Sequence, residues 1–326
     1  MGLSDVAGIF SRYFIVGFFL PSFTALVVYS VSVSNELLPN IYERYGPGAQ
    51  TAILGGAGLL LGLLLLGLNY HIIRLFEGYP LQALVHWLES PRRHKRWRRL
   101  AKPARGLHDW LVANQNRRRQ ALREIRNGDS NPTEQGRAAW RLDRRFPRKK
   151  SQLLPTSFGN SIRAFETHSS RRYGLDAIAA APRIDGLMCE KEHEIMADAK
   201  AEVAFFVNLA LLTALLGIAY LVDEAVAQPV SWYATLVYLL PFLVAYASYR
   251  AAVGAARRWG STVRAALDLH RLELYEKIGL KEPESFSEER EVIGPALSRT
   301  LLHGKRLPDD LRAPREPADE AKGGEK

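Results

Sequence analysis

A single cysteine, Cys189, stands in a chain of 326 residues, which excludes an intramolecular disulfide framework and a four-thiolate zinc site. Missing too are the phosphate-cradling Walker loop, the Gly-x-Ser-x-Gly nucleophile elbow and the His-Glu-x-x-His zinc helix. Cys189 has no His and acid set that would make it a nucleophile. The largest absence is of charge. No Asp, Glu, Lys or Arg falls in 23 residues between Arg12 and Glu36, in 29 between Arg44 and Arg74, in 20 between Glu202 and Asp223, or in 25 between Glu224 and Arg250.

Crossing the ~30 Å hydrocarbon core takes ~20 apolar residues, so each window is long enough to span a membrane. Lipid cannot satisfy backbone polar groups, and the spans are therefore expected as helices, over about 13–34, 50–73, 203–222 and 230–250. The first window is longer than a cleavable signal's apolar region and carries Pro21, which favours a span. Pro21 and Pro241 are expected to kink their helices, since each removes a backbone donor. The fold class that follows is an all-α integral membrane protein, two transmembrane hairpins flanking a basic helical cytoplasmic domain. Its parts are 1–76 (first hairpin), 77–200 (basic domain), 201–254 (second hairpin), 255–307 (C-terminal helices) and 308–326 (a tail too poor in apolar residues to fold).

Charge also orients the chain. Residues 71–200 hold 27 Lys and Arg against 14 Asp and Glu, whereas the short connectors carry only Glu36, Glu43 and Arg44, or Asp223 and Glu224. The positive-inside bias places the connectors outside and the middle domain and both termini in the cytoplasm. No ionisable residue lies mid-span, which argues against an ion-coupled transporter. Gly58-x-x-x-Gly62 puts two small residues on one helix face, a packing surface within the bundle or between subunits of a homo-oligomer.

After the second span, Gly78 and Pro80 should turn the chain into an amphipathic helix over 81–89. Six of the next eight residues after Pro91 are basic, and Arg92, Arg93, Lys95, Arg96, Trp97, Arg98 and Arg99 form a candidate contact with anionic lipid headgroups. A helical hairpin follows, broken at Asn127-Gly-Asp-Ser-Asn-Pro132. Its basic residues alone would give only non-specific nucleic-acid binding, and no nucleic-acid motif accompanies them.

The stretch from Leu154 to Arg183 concentrates loop residues and closely spaced polar groups. Asn160, Arg163, Glu166, His168, Arg171, Arg172, Asp176 and Arg183 are its candidate anion- or ligand-binding residues, with the arginines suited to clamping a phosphate or carboxylate. The competing reading is architectural: the same residues pin the helical hairpin to a membrane span. Glu190, His193, Glu194 and Asp198 share a helix face, but a di-iron bundle needs two Glu-x-x-His units, so neither a metal nor a cofactor is expected.

Glu77-Gly-Tyr79, the Leu154-Pro-Thr…Gly-Asn-x-x-Arg-Ala-x-Glu166 block and Arg172-Tyr-Gly-x-Asp176 with Pro182-Arg183 resemble motifs of an uncharacterised family of bacterial multi-pass membrane proteins. Leu267-Asp-Leu-His-Arg-Leu-Glu-Leu-Tyr275 and Glu288-Glu-Arg-Glu291 are similar to it as well. The resemblance covers most of residues 50–300 and departs from the pattern at Ser157 and Ala181. It implies a four-span protein of the bacterial cytoplasmic membrane, and no activity. Three readings follow: a non-enzymatic signalling, scaffold or effector protein binding an anionic lipid, nucleotide or protein; an oligomeric pore; or an enzyme acting on lipid headgroups.

Overall fold

The computed structural model describes residues 11–33, 39–90, 95–128, 131–226 and 239–313. Among these the chain is all-helical, without strands. Three helices are long and apolar enough to cross a membrane: Arg12–Ser30, Thr51–Glu77 and Glu190–Val222. The fourth expected span begins in residues outside the description, and its remainder opens a long helix at Leu240.

Helix α1 consists of Arg12–Phe14, a wider π-helical turn Ile15–Phe19, and Leu20–Val33. The wide turn sits directly before Pro21, whose missing N–H leaves the Gly17 carbonyl without its helical donor. Helix α2 (Pro39–Glu77) runs antiparallel to α1. A Cβ on Gly58 would lie 3.3 Å from the Phe23 Cα, and one on Gly62 would lie 3.3 Å from the Phe19 Cα. The small residues thus let α1 and α2 approach within one chain.

Six α-helices follow among the described residues, one of them long at 33 residues. They are α3 (Tyr79–Glu89), α4 (Lys95–Asn127), α5 (Pro132–Arg145), α6 (Ser157–Glu166), α7 (His168–Arg172) and α8 (Ala177–Asp185). Helices α9 (Glu190–Val226) and α10 (Leu240–Ile278) then pack antiparallel along most of their lengths. Gly217 accommodates the Phe242 ring, Glu202 pairs with Arg258, and Glu192 pairs with His270. Helix α11 follows as Phe286–Glu288, a π turn Glu289–Ile293, and Gly294–His303, before a last short turn at Asp309–Leu311.

Two hydrophobic cores divide the molecule. The first joins Phe14, Phe18, Leu65, Val207, Ala252 and Ala256 of the long helices to Phe158, Ile162 and Phe165 of α6. Fully burying a Phe contributes about 1.5–3 kcal/mol, so α6 is anchored into the bundle rather than resting on it. The second core packs Leu175, Ala180 and Ile184 against Leu267, Leu274 and Tyr275 of α10 and Ile293 and Leu297 of α11. A small cluster of Leu142, Phe146 and Leu153 ties α5 to α4.

One expectation changes, and two parts of the sequence division gain structural detail. Helices α9 and α10 each run unbroken across a division, at 200/201 and at 254/255. Pro241 does not kink α10; it occupies the first turn, where its missing N–H has no intrahelical partner to lose. Of the expected tail, 308–313 pack on the chain and 314–326 lie outside the described residues: Leu311 is buried, its carbonyl accepts from the Lys281 amide at 2.9 Å, and the Ala313 amide donates to the Gly279 carbonyl at 2.9 Å.

Candidate functional site

The site is built on the joint between α2 and α6. Gly78 ends α2 with φ +90°, and a Cβ there would meet the Pro155 ring at 2.5 Å, so only glycine fits. The Thr156 hydroxyl donates to the carbonyls of Phe76 (2.8 Å) and Glu77 (3.1 Å) and accepts from the Gly159 amide at 2.9 Å. One side chain thereby caps the end of α2 and the start of α6. Asn160 is fully buried. Its Oδ1 accepts from the Leu154 amide at 2.9 Å, and its Nδ2 donates to the carbonyls of Leu154 (2.8 Å) and Thr156 (2.7 Å). It holds the loop closed and has no face for a ligand, contrary to the binding role read from the sequence.

Beside this joint, Arg163 pairs with Glu166 at 3.1 Å and donates to the Tyr79 hydroxyl. The Arg74 guanidinium lies over the Tyr79 ring, 4.1 Å from its centre. Burial pushes the Glu166 carboxyl above its ordinary value, against the opposing pull of Arg163 and Arg74. This cluster opens into a cleft of about 670 Å³ lined by Arg148, Lys149, Arg163, Glu166, Ser170, Arg171, Asp176 and Arg290. A second cleft of about 610 Å³ shares Arg148 and Arg171 with it and adds Arg119, Arg123, Arg126 and Asp143.

Together the clefts hold eight cations and three carboxylates. The carboxylates are already committed. Asp143 accepts from Arg171 and lies 3.5 Å from Arg264, Glu166 pairs with Arg163, and Asp176 caps α8 by accepting from the Ala179 amide. Arg119, Arg123, Arg126, Arg148, Lys149 and Arg290 have no carboxylate partner among the described residues. Arg119 is buried, with its guanidinium against the Arg148 carbonyl, and burial followed by the charge of Arg123 lowers its pKa. Unneutralised guanidinium groups converging on one concavity are suited to phosphate or carboxylate.

His168 sits behind this surface. It is buried between two carboxylates, Nδ1 3.8 Å from Asp143 and Nε2 3.9 Å from Asp268, both too far for a hydrogen bond. Burial first, then the charge of Arg264, depresses the imidazole to about 4, so it is neutral at physiological pH. Asp268 accepts instead from the Tyr173 hydroxyl at 2.7 Å. Burial and that bond raise the Tyr173 phenol to about 12.

Of the residues singled out in the sequence, Arg163, Glu166, Arg171 and Asp176 share the first cleft. Arg172 is exposed, 3.9 Å from Asp268, and Arg183 turns back to donate to the Ala179 carbonyl of its own helix. Neither joins them. Arg92 and Arg93 lie outside the described residues, as do the side chains of Lys95, Arg96, Trp97 and Arg98; Arg99 is exposed on α4. The face carrying Glu190, His193, Glu194 and Asp198 is used for ion pairs, His193 with Asp185 and Asp198 with Arg12. No metal-ligating cluster of three or more His, Cys, Asp or Glu occurs among the described residues.

Sequence reasoning missed Arg119, Arg123, Arg126, Arg148, Lys149 and Arg290. The runs Arg117-Arg-Arg119 and Arg148-Lys-Lys150 were the available signal, but a run does not show which member turns inward. No family model, curated protein or solved structure matches the chain.

Proposed function

We propose that this is a four-span protein of the bacterial cytoplasmic membrane, with both termini inside, whose basic domain captures a soluble phosphorylated ligand of the nucleotide class. It acts as a signalling or scaffold protein rather than an enzyme. The observation that carries this reading is the excess of eight cations over three already-committed carboxylates in two adjoining clefts. Arginine holds its proton throughout the physiological range, so such a lining binds and orients an anion but transfers no proton to it. Within the motifs that resemble the uncharacterised membrane family, Gly78, Thr156 and Gly174 fall at close-packed joints, which supports an architectural role for those three.

Two observations weigh against the other readings. Gly58 and Gly62 are covered by Phe19 and Phe23 of the same chain, which removes the surface that suggested a pore between subunits. His168 is buried away from the cleft that Glu166 lines, which leaves a headgroup enzyme without its acid–base pair.

Titrating the detergent-purified full-length protein with ATP, GTP and inorganic phosphate tests the reading by calorimetry. Binding of a nucleotide that the double variant Arg123→Gln/Arg148→Gln weakens at least tenfold supports it. Absence of binding by either nucleotide rejects it. The topology has its own test, since Cys189 is exposed. A membrane-impermeant maleimide should label it in inverted vesicles and not in intact cells.

A further inference from the structure

Helix α10 carries an arginine at every seventh position: Arg250, Arg257, Arg264 and Arg271. Seven residues are nearly two helical turns, so the four project from almost one line. The two at the far end have acid partners. Arg271 lies 2.9 Å from Glu289, and Arg264 lies 3.5 Å from Asp143. Arg250 and Arg257 have none among the described residues, and neither does Arg145 at the end of α5.

Arg257 is nevertheless half-buried. Its Nε donates to the Ser161 hydroxyl at 3.3 Å, and the charges acting on it include Arg145, Arg250 and Arg144. Burial, followed by Arg145 and Arg250, depresses its guanidinium to about 10. Burial and the charges of Arg141 and Arg250 likewise lower Arg145. Withdrawing like charges from water is costly unless an anion joins them. The chain supplies acids to the next two rungs of the same ladder and not to these.

Position identifies the anion. Arg250 is the first charged residue after the fourth charge-free window, and its guanidinium lies over the Tyr246 ring. The neighbouring Tyr249 ring stands 6.2 Å from that of Phe76, two residues beyond Arg74, which closes the second window. Two window ends therefore meet at one level, where headgroups begin. Arg257 lies roughly 10 Å further along the axis at 1.5 Å per residue, a gap that a headgroup layer and two arginine side chains bridge.

We propose that Arg145, Arg250 and Arg257 bind the phosphate of an anionic phospholipid in the cytoplasmic leaflet. The planar guanidinium fork matches two phosphate oxygens; the exposed Arg250 guanidinium, which donates to the Tyr246 hydroxyl at 3.1 Å, turns from it to join Arg145 and Arg257 around one phosphate and relieve the repulsion among them. The site uses the four-span reading and is independent of the arginine clefts.

The test uses the full chain in detergent micelles doped with phosphatidylglycerol or phosphatidylcholine, with lipid retention read by native mass spectrometry. Preferential retention of phosphatidylglycerol is expected, reduced about tenfold in Arg145→Gln/Arg250→Gln, as for loss of charge-assisted hydrogen bonds. The cleft variant Arg123→Gln/Arg148→Gln should retain it fully, which separates this site from the nucleotide site. Equal retention of the two lipids, or wild-type retention by the double variant, overturns the proposal. Displacement of phosphatidylglycerol by millimolar inorganic phosphate also overturns it, by making the site one for free phosphate. Should the double variant fail to fold, Arg250→Gln alone, at an exposed position, must lower the preference; if it does not, the proposal falls.

Discussion

The Asn208 side-chain amide donates to the Gly17 carbonyl at 2.8 Å, replacing the hydrogen bond that Pro21 cannot make. Asn208 is fully buried in α9, and Gly17 lies in α1, so a polar side chain within one apolar helix repairs the backbone of another. Replacing it by Leu should destabilise the protein by about 1–3 kcal/mol, the cost of an orphaned buried acceptor. The change should cost less in a Pro21→Ala background, where the backbone donor returns. A double-mutant cycle on unfolding in detergent measures that coupling; additive effects would contradict the repair.

Gly78→Ala and Gly279→Ala make a controlled pair. Both glycines have positive φ, +90° and +78°, but only at Gly78 does an added Cβ strike a neighbour. Gly279→Ala should lose only the backbone strain, about 1 kcal/mol. Gly78→Ala should lose clearly more, because Pro155 must move and the Thr156 caps with it. Equal unfolding midpoints for the two variants would show that the joint is not closely packed.

Acid should weaken the protein through His168. Its folded pKa of about 4 lies below the unfolded 6.5, so the unfolded chain binds the extra proton between those values. This contribution to stability is complete above pH 6.5 and falls by up to about 1.4 kcal/mol per unit as the pH drops toward 4. Glu166, with its raised carboxyl, acts in the opposite sense from its own folded pKa downward. His168→Gln should flatten the loss between pH 6.5 and 4, as read from unfolding midpoints across that range.

Asp143 separates stability from binding. It accepts from Arg171 and faces Arg264, and it is the one carboxylate in the second cleft. Asp143→Asn should lower the unfolding temperature, because Arg264 is mostly buried and loses its counter-charge. It should also tighten nucleotide binding, because the cleft loses its one negative charge. Calorimetry and thermal unfolding on one preparation check the opposed signs.

Labelling single cysteines introduced at Asp223 and at Arg250 tests the fourth span. With Cys189 replaced by Ser, the first should react with an impermeant reagent in intact cells and the second only in inverted vesicles. Labelling of both from one side would remove the span between them.

Charge-free windows of 20 residues or more were readable directly, because hydropathy is a local property that lipid selects residue by residue. The three helices fitting for a span overlap the first, second and third windows, and the helical character of the segment between the second and third was equally legible. The segment from Leu154 to Arg183 stood out as unusual, but its chemistry could not be assigned residue by residue. Asn160 and Thr156 serve the joint, Arg183 serves its own helix, and Arg163 and Arg171 face a cleft. What decides among these is which distant element each side chain meets. Arg264 finds Asp143 across 121 positions and Arg271 finds Glu289 across 18, while Arg250 and Arg257, identical in the sequence pattern, find no acid among the described residues. The pattern of seven is in the chain; the partners come only from packing, which sets Asp143 of α5 against Arg264 and Glu289 of α11 against Arg271 and brings no described acid to the other two.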